Sequence, residues 1–146
     1  MHDCKIRWNY LSRPALRRFG QKKAQGQQNG NLLLLNSQEQ EIVSFSMLTN
    51  DMQQGGFLQV FSCWDEALFN LVQVTLRKIG AGKVVNLLEQ GCQLLQPVLQ
   101  RKIDCTPQEL RCYLTDVEKQ QLDILEQAYQ QEEANMYYRA FCYYAS

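Results

Sequence analysis

Apolar residues recur at helical spacing along most of the chain. Within residues 37–54, 65–80 and 82–96 they repeat every three or four positions, so each segment carries one apolar face. Near the C-terminus Tyr137, Phe141 and Tyr144 share a further face at the spacing i, i+4, i+7, which predicts core or dimer contacts in preference to a base-stacking platform. No segment shows the sustained alternation of a strand. The pattern predicts an all-α protein, a single compact helical domain of about six to eight helices joined by short connections.

Several helix starts are marked by capping sequences. Asn36 or Ser37 can cap the helix that begins there, and Asp65 can cap the next one. Thr106 and Thr115 each precede a glutamate by three residues, which is the spacing of a capping box. The second of these boxes opens an acidic amphipathic helix.

Two prolines are expected to mark helix boundaries. Proline suits the first position of a helix, so we expect a short helix before Pro14 and a new turn that starts at it. Pro97 follows the helix predicted over residues 82–96 and is expected to lie beyond its end.

The helical pattern is interrupted by two adjacent glycines, Gly55 and Gly56. Each costs a helix roughly 1 kcal/mol relative to alanine, and glycine is the residue that adopts positive φ without steric cost. Phe57, Phe61 and Trp64 follow and can anchor the chain in a core. The pair therefore predicts a tight interhelical corner, in preference to a ligand-binding loop.

Charge is distributed unevenly, although the net charge is zero. Residues 1–35 contain seven basic side chains and one acidic side chain, whereas the remaining residues contain eight basic and fourteen acidic ones. Residues 20–31 are rich in Gln, Gly and Lys and lack apolar periodicity, which favours a linker. We therefore predict a basic N-terminal arm and flexible linker over residues 1–31, joined to a helical domain over residues 32–146.

Three arginines in the basic arm raise the question of nucleic-acid binding. Arg13, Arg17 and Arg18 could form a phosphate-binding patch, or the solvated face of a docking helix. A run of basic residues without a recognisable nucleic-acid-binding motif is weak evidence for nucleic-acid binding. The solvated face is therefore favoured, and no direct nucleic-acid partner is expected.

Residues that support catalysis or metal binding are sparse. The only histidine is His2, and neither a nucleophile elbow nor a phosphate loop occurs in the sequence. The six cysteines lack Cys-x-x-Cys spacing and are expected to be reduced. They are Cys4, Cys63, Cys92, Cys105, Cys112 and Cys142. We predict that the protein is not an enzyme and that it holds no cofactor and no metal.

The sequence also lacks a membrane signal. No apolar run approaches the roughly 18 residues that a spanning helix needs, so no membrane association is expected. The apolar run at residues 32–35 is too short for the apolar region of a signal peptide. This predicts a cytoplasmic protein.

A motif around the glycine pair resembles a known family. Residues 51–61 read Asp-Met-Gln-Gln-Gly-Gly-Phe-Leu-Gln-Val-Phe, and residues 76–81 read Leu-Arg-Lys-Ile-Gly-Ala. Both are similar to signatures of the DNA mimic protein 19-like family, bacterial all-helical domains of largely unknown function with a Gly-Gly-Phe-x-Gln motif. Gln54 and Cys63 stand where that family usually has Asn. The structural motif residues are Asp51, Gly55, Gly56, Phe57, Gln59 and Phe61.

The resemblance implies a DNA mimic, a dimer whose carboxylates stand in for phosphates and keep a transcription factor off DNA. B-DNA carries a negative charge about every 1.7 Å of helix axis, so a mimic needs a broad array of acidic groups. Candidate groups lie on the predicted acidic helix and its continuation, and we assign them to partner binding. They are Asp116, Glu118, Asp123, Glu126, Glu132 and Glu133.

These observations predict a non-catalytic protein-binding module that sequesters a basic protein partner and can form a homodimer. One alternative is an immunity-type inhibitor, which would plug a toxin's active site by the same electrostatics. Another is an uncharacterised helical domain whose acidic face only promotes solubility. If the acidic residues are surface charges, reversing Asp123 and Glu126 to Lys should weaken partner binding and leave thermal unfolding almost unchanged.

Overall fold

The computed structural model describes residues 2–24, 32, 35–101 and 106–145. Within these ranges the chain forms six α-helices and no β-strand, which confirms the predicted all-α domain. In chain order the helices are α1 (His2–Ala24), α2 (Ser37–Cys63), α3 (Glu66–Lys78), α4 (Gly82–Arg101), α5 (Pro107–Cys112) and α6 (Asp116–Tyr144).

The helix starts follow the capping chemistry of the sequence. Asn36 caps α2, because its Oδ1 accepts the N–H of Glu39 at 2.8 Å while the Glu39 carboxylate accepts the N–H of Asn36 at 3.2 Å. Thr115 and Glu118 make the same reciprocal pair at the start of α6, at 3.1 and 2.8 Å. Each pair satisfies two N–H groups that a helix start leaves without partners, so these boundaries are set locally.

The core is centred where α1, α2 and α6 meet. Trp8 of α1 is 1% exposed and packs edge-on against Phe45 of α2, with ring centroids 4.7 Å apart. Its Nε1 donates a hydrogen bond to Ser46 Oγ at 3.2 Å. Phe45 also contacts Tyr137 of α6, with centroids 5.7 Å apart. Tyr137 and Tyr144 are both buried, as predicted for core residues.

The N-terminal helix differs from the expectation. The prediction that a short helix ends before Pro14 is wrong, because α1 continues through this proline. Trp8 and Ala15 are buried on either side of Pro14, so packing holds both halves of α1 on the same surface and offsets the backbone hydrogen bond that proline lacks. The part of the predicted arm that α1 contains thus packs on the helical domain, whereas residues 25–31 of the predicted linker lie outside the described residues.

Two further helices are longer than expected. Helix α4 continues through Pro97 to Arg101, so the predicted end at residue 96 is wrong. Buried Val98 anchors the last turn of α4 against the core. Helix α6 joins the acidic segment and the aromatic C-terminal segment into one helix of 29 residues. In both helices burial beyond the apparent boundary decides where the helix ends.

A buried polar cluster ties α2, α3 and α6 together. Glu41 of α2 is 7% exposed, and its carboxylate pairs with the Lys78 ammonium of α3 and accepts a hydrogen bond from the Tyr144 hydroxyl of α6 at 2.7 Å. The hydroxyls of Ser44 and Thr75 lie 3.3 Å apart between the same two helices, α2 and α3. Because the carboxylate has partners from two other helices, this buried charge is compensated and has a structural role.

Candidate functional site

At the glycine motif two helical segments of α2 meet across a kink, at the position where the tight interhelical corner is predicted. Gly55 stays helical, whereas Gly56 has φ 66° and ψ −154°. Glycine adopts this pair of angles readily, whereas an L-residue is almost never found there and is strained by roughly 1–3 kcal/mol. The predicted need for positive φ is thus confirmed at one of the two glycines, and the helix resumes at Phe57.

The kink is held by a carboxylate from another helix. The N–H of Phe57 donates a hydrogen bond to Oε1 of Glu126 in α6 at 3.2 Å. A Cβ atom placed on Gly56 would lie 2.2 Å from that same oxygen. Glycine is therefore required at position 56 for its backbone angles, and its lack of a Cβ atom also leaves room for the Glu126 carboxylate in its observed position.

The other motif residues support the same bend. Asp51, before the kink, accepts a hydrogen bond from Trp64 Nε1, beyond the kink, at 2.7 Å. The Cβ of Gln59 would lie only 2.7 Å from a Cβ on Gly55. A Cβ atom placed on Gly91 of α4 would lie 3.1 Å from the ring of Phe61. The Phe61 ring therefore packs closely against α4. The motif thus encodes a bent helix and its packing.

A cavity of about 290 Å³ lies between the kinked helix and α6. Its lining combines two carboxyl groups, two primary amides, a phenol and a thioether. The lining residues are Met52, Gln53, Glu126, Tyr129, Gln130 and Glu133. Three of them, at positions 126, 129 and 133, follow one face of α6 at the spacing i, i+3, i+7.

Tyr129 is the unusual member of this cavity. Its side chain is 1% exposed, and its hydroxyl has no hydrogen-bond partner among the described residues. Its ring packs edge-on against Phe57, with centroids 6.4 Å apart. Burial raises the pKa of Tyr129 well above its ordinary value of 10, and the nearby Glu133 carboxylate raises it further. A buried hydroxyl without a partner costs roughly 1–3 kcal/mol, so this group calls for an explanation.

The two glutamates of the cavity lack basic partners among the described residues, and one of them, Glu126, also has a shifted pKa. Burial raises the pKa of Glu126 above its ordinary value of 4.5, and the Phe57 N–H bond offsets this shift only in part. Neither Glu126 nor Glu133 forms an ion pair with a basic side chain of the described chain. No basic residue lines the cavity.

The other predicted partner-binding residues are dispersed along α6. Glu118 is engaged in the cap of its own helix. Asp123 pairs with Arg111 of α5 at 3.2 Å, and Glu132 lies 3.8 Å from Lys83 of α4. Asp116 is exposed in the first turn. Because Glu126 is half-buried and bonded to the kink, reversing it to Lys would disturb the fold, which revises the expectation that thermal unfolding stays unchanged.

The cavity was not identified from the sequence, in which Tyr129 reads as one more apolar position of α6. The sequence does contain one indication of the cavity. Glu126 and Glu133 share a face of α6 with Tyr129, a position that is predicted to be buried. Gln53 gave no signal, because its place beside α6 depends on how α2 packs against that helix.

The predicted basic patch on α1 is partly used within the fold. Arg18 forms an ion pair with Glu39 of α2 at 3.3 Å. The guanidinium of Arg13 lies over the Tyr10 ring, 5.0 Å from its centroid. Arg17 is exposed. These contacts agree with a docking helix that has a solvated basic face.

Five of the six cysteines lie within the described ranges. Cys4, Cys63, Cys92, Cys112 and Cys142 are free thiols there, while Cys105 lies outside those ranges. No cluster of three or more His, Cys, Asp or Glu side chains suited to a metal ion occurs among them. None of the helices in this part of the chain is both long enough and apolar enough to span a membrane.

Comparison with known proteins gives one match. A family model described as DMP19-like protein matches residues 34–143, which include the kinked helix, the cavity and nearly all of α6. Helix α1 lies outside the match. No curated protein and no solved structure matches the chain.

Proposed function

Because the chain belongs to the DMP19-like protein family, we propose that it is a non-catalytic protein-binding module that acts as a DNA mimic. Its partner would be a basic DNA-binding protein, held through carboxylates that take the place of phosphates. Binding to this surface would leave the partner unable to bind DNA.

The charge along α6 is the observation that supports this function. The helix has 29 residues and is therefore about 44 Å long. It carries six acidic side chains against two basic ones, Lys119 and Arg139. Asp116, Asp123 and the two cavity glutamates fall within an arc of about 100° around the helix axis. This arc would present a row of carboxyl groups to the lysines and arginines of a partner.

The mode of binding follows from electrostatics. Complementary charge raises the association rate and makes the complex sensitive to salt. Duplex DNA and this protein would compete for the same basic surface, because both offer negative charge to it. Release of the partner by moderate salt or by added DNA is therefore the expected behaviour.

The test is a capture experiment with matched charge reversals. The full-length protein, the double variant Asp116→Lys/Asp123→Lys and the control Glu89→Lys are immobilised, and proteins captured from a lysate are identified by mass spectrometry at rising salt. Asp123 and Glu89 each form one partly exposed ion pair, so the fold should tolerate both reversals. Circular dichroism and thermal unfolding verify that each variant is folded.

A basic DNA-binding protein retained by the native protein and the control, lost by the double variant and released by duplex DNA would support the proposal. Identical captured proteins on all three baits would contradict it. Selective capture of a toxic enzyme, with its activity blocked, would contradict the DNA mimic and favour an inhibitor of a toxin.

A further inference from the structure

The cavity between the kink of α2 and α6 has the chemistry of a guanidinium site, and we propose that it receives an arginine side chain of the protein partner. The origin of the arginine rests on the proposed function. The chemistry of the cavity rests only on its own residues.

The first argument is the excess of acidic groups in the cavity. Glu126 and Glu133 both line it, and no lysine or arginine does. Neither carboxyl group forms an ion pair within the described chain, whereas Asp123 and Glu132 of the same helix do. The charge of Arg111 acts on Glu126 from outside the cavity. Two half-buried carboxyl groups with no basic side chain between them favour a cation in that space. An anionic ligand is excluded by the same charges.

The second argument is the hydroxyl of Tyr129, which is independent of the charges. Tyr129 is a lining residue of the cavity, and its hydroxyl is buried and lacks a hydrogen-bond partner among the described residues. A ligand that brings N–H donors would supply the missing bond, with the phenol oxygen as acceptor. The unpartnered hydroxyl is thus explained as a ligand contact that is present only in the complex.

The third argument concerns which cation fits. The lining is rich in acceptors: two carboxyl groups, the carbonyl oxygens of Gln53 and Gln130, and a phenol oxygen. A guanidinium group offers five N–H donors in one plane and no acceptor, whereas an ammonium is a compact point charge with three donors. Met52 adds an apolar wall for the aliphatic stem of an arginine. A metal ion is disfavoured, because no metal-binding cluster occurs among the described residues.

The glycine motif explains why this site is formed before a ligand binds. Gly56 lets the Glu126 carboxylate approach the backbone, and the Phe57 N–H holds its Oε1 in place. One carboxylate of the cavity is thereby fixed, which lowers the entropic cost of binding. The motif would thus serve both the bend and the site.

The test is an NMR titration of the 15N-labelled full-length protein with Nα-acetyl-arginine amide, Nα-acetyl-lysine amide and free arginine. The side-chain amides of Gln53 and Gln130 and the backbone N–H of Phe57 report on the cavity. We expect saturable shifts with the blocked arginine and roughly tenfold weaker binding of the blocked lysine. Equal binding of both amides, or shifts spread evenly over the surface, would overturn the proposal.

Three variants separate a ligand contact from a structural role. Tyr129→Phe and Glu133→Gln should each weaken binding of the blocked arginine roughly fivefold or more, since each removes a charge or an acceptor. Glu132→Gln, whose carboxyl group lies outside the cavity beside Lys83, should leave binding unchanged. Tyr129→Phe should also raise the melting temperature of the unliganded protein by about 3 °C, because it removes a buried unpartnered hydroxyl. A lower melting temperature with unchanged binding would overturn the proposal.

The outcomes also separate this inference from the proposed function. If the captured basic protein binds normally to Tyr129→Phe and Glu133→Gln, the arginine site is overturned and the proposed function is unaffected. If the blocked arginine binds but no basic protein is captured, the cavity chemistry is supported and the proposed function fails. Free arginine that binds more tightly than the blocked arginine would overturn a protein source and indicate a small guanidino ligand.

Discussion

At the scale of single residues, Glu126 links the bent helix to the cavity. It accepts the Phe57 N–H, lies over Gly56 and lines the cavity with Tyr129. Its neighbours Asp123 and Glu132 are surface acids paired across to other helices. Glu126 therefore differs from the other acids of α6 in its burial. Its position in the sequence does not reveal this difference.

Glu126 should leave a signature in the pH dependence of stability. Its folded-state pKa is raised above the ordinary value of 4.5, so the folded state holds the proton more tightly than the unfolded chain does. Its contribution is fully present below pH 4.5 and is lost as the pH rises through the folded-state pKa. In Glu126→Gln the amide oxygen can still accept the Phe57 N–H and no charge is buried.

We therefore expect Glu126→Gln to match the native protein near pH 4 and to become the more stable of the two as the pH rises toward 7. Urea unfolding at several pH values measures this difference. Glu126→Ala, which lacks the acceptor, should be less stable by roughly 1–3 kcal/mol. A difference between Glu126→Gln and the native protein that does not vary with pH would argue against a buried, titrating carboxyl group.

At the scale of elements, the bend in α2 is the feature on which the site depends. One residue with positive φ redirects the helix, and Asp51 and Trp64 hold the two arms together across it. Gln53, before the bend, and Glu126, which accepts the N–H of Phe57 just after it, line the same cavity. The geometry of the site is therefore a property of the kinked helix and its contact with α6.

Gly56→Ala should destabilise the protein by roughly 1–3 kcal/mol, because an L-residue is strained at these backbone angles. The new Cβ would also displace the Glu126 carboxylate from the Phe57 N–H. Gly20→Ala is the matched control, because a Cβ there meets nothing within 4 Å and alanine favours the helix. Chemical denaturation of both variants measures the difference. Similar effects at the two glycines would mean that the kink places no special demand on position 56.

At the scale of the whole molecule, α6 joins the other helices into one domain. Its middle turns line the cavity, and its C-terminal end binds the Glu41 cluster through Tyr144 and packs with Phe45 through Tyr137. Trp8 brings α1 into contact with the same core. A surface on α6 is therefore held rigidly by most of the fold.

If α1 is part of this domain, Trp8→Ala should lower the free energy of unfolding by about 3–5 kcal/mol, the range for a buried aromatic side chain. Tyr10→Ala on the same helix is the control, because Tyr10 is 67% exposed and should matter little. Thermal or denaturant unfolding measures both. If Trp8→Ala lowers the free energy of unfolding no more than the control does, α1 does not contribute to the stability of the domain.

The sequence by itself determined the helical class, the caps at Asn36 and Thr115 and the need for positive φ near Gly56, because each is a local property of backbone and neighbouring side chains. It did not determine whether α1 and α4 continue through their prolines, since packing of distant side chains outweighs the local cost. Only the tertiary structure divided the acids of α6 into caps, ion pairs and cavity groups. That division depends on which helix lies opposite each carboxyl group. The spacing of residues along α6 does not indicate which helices pack against it.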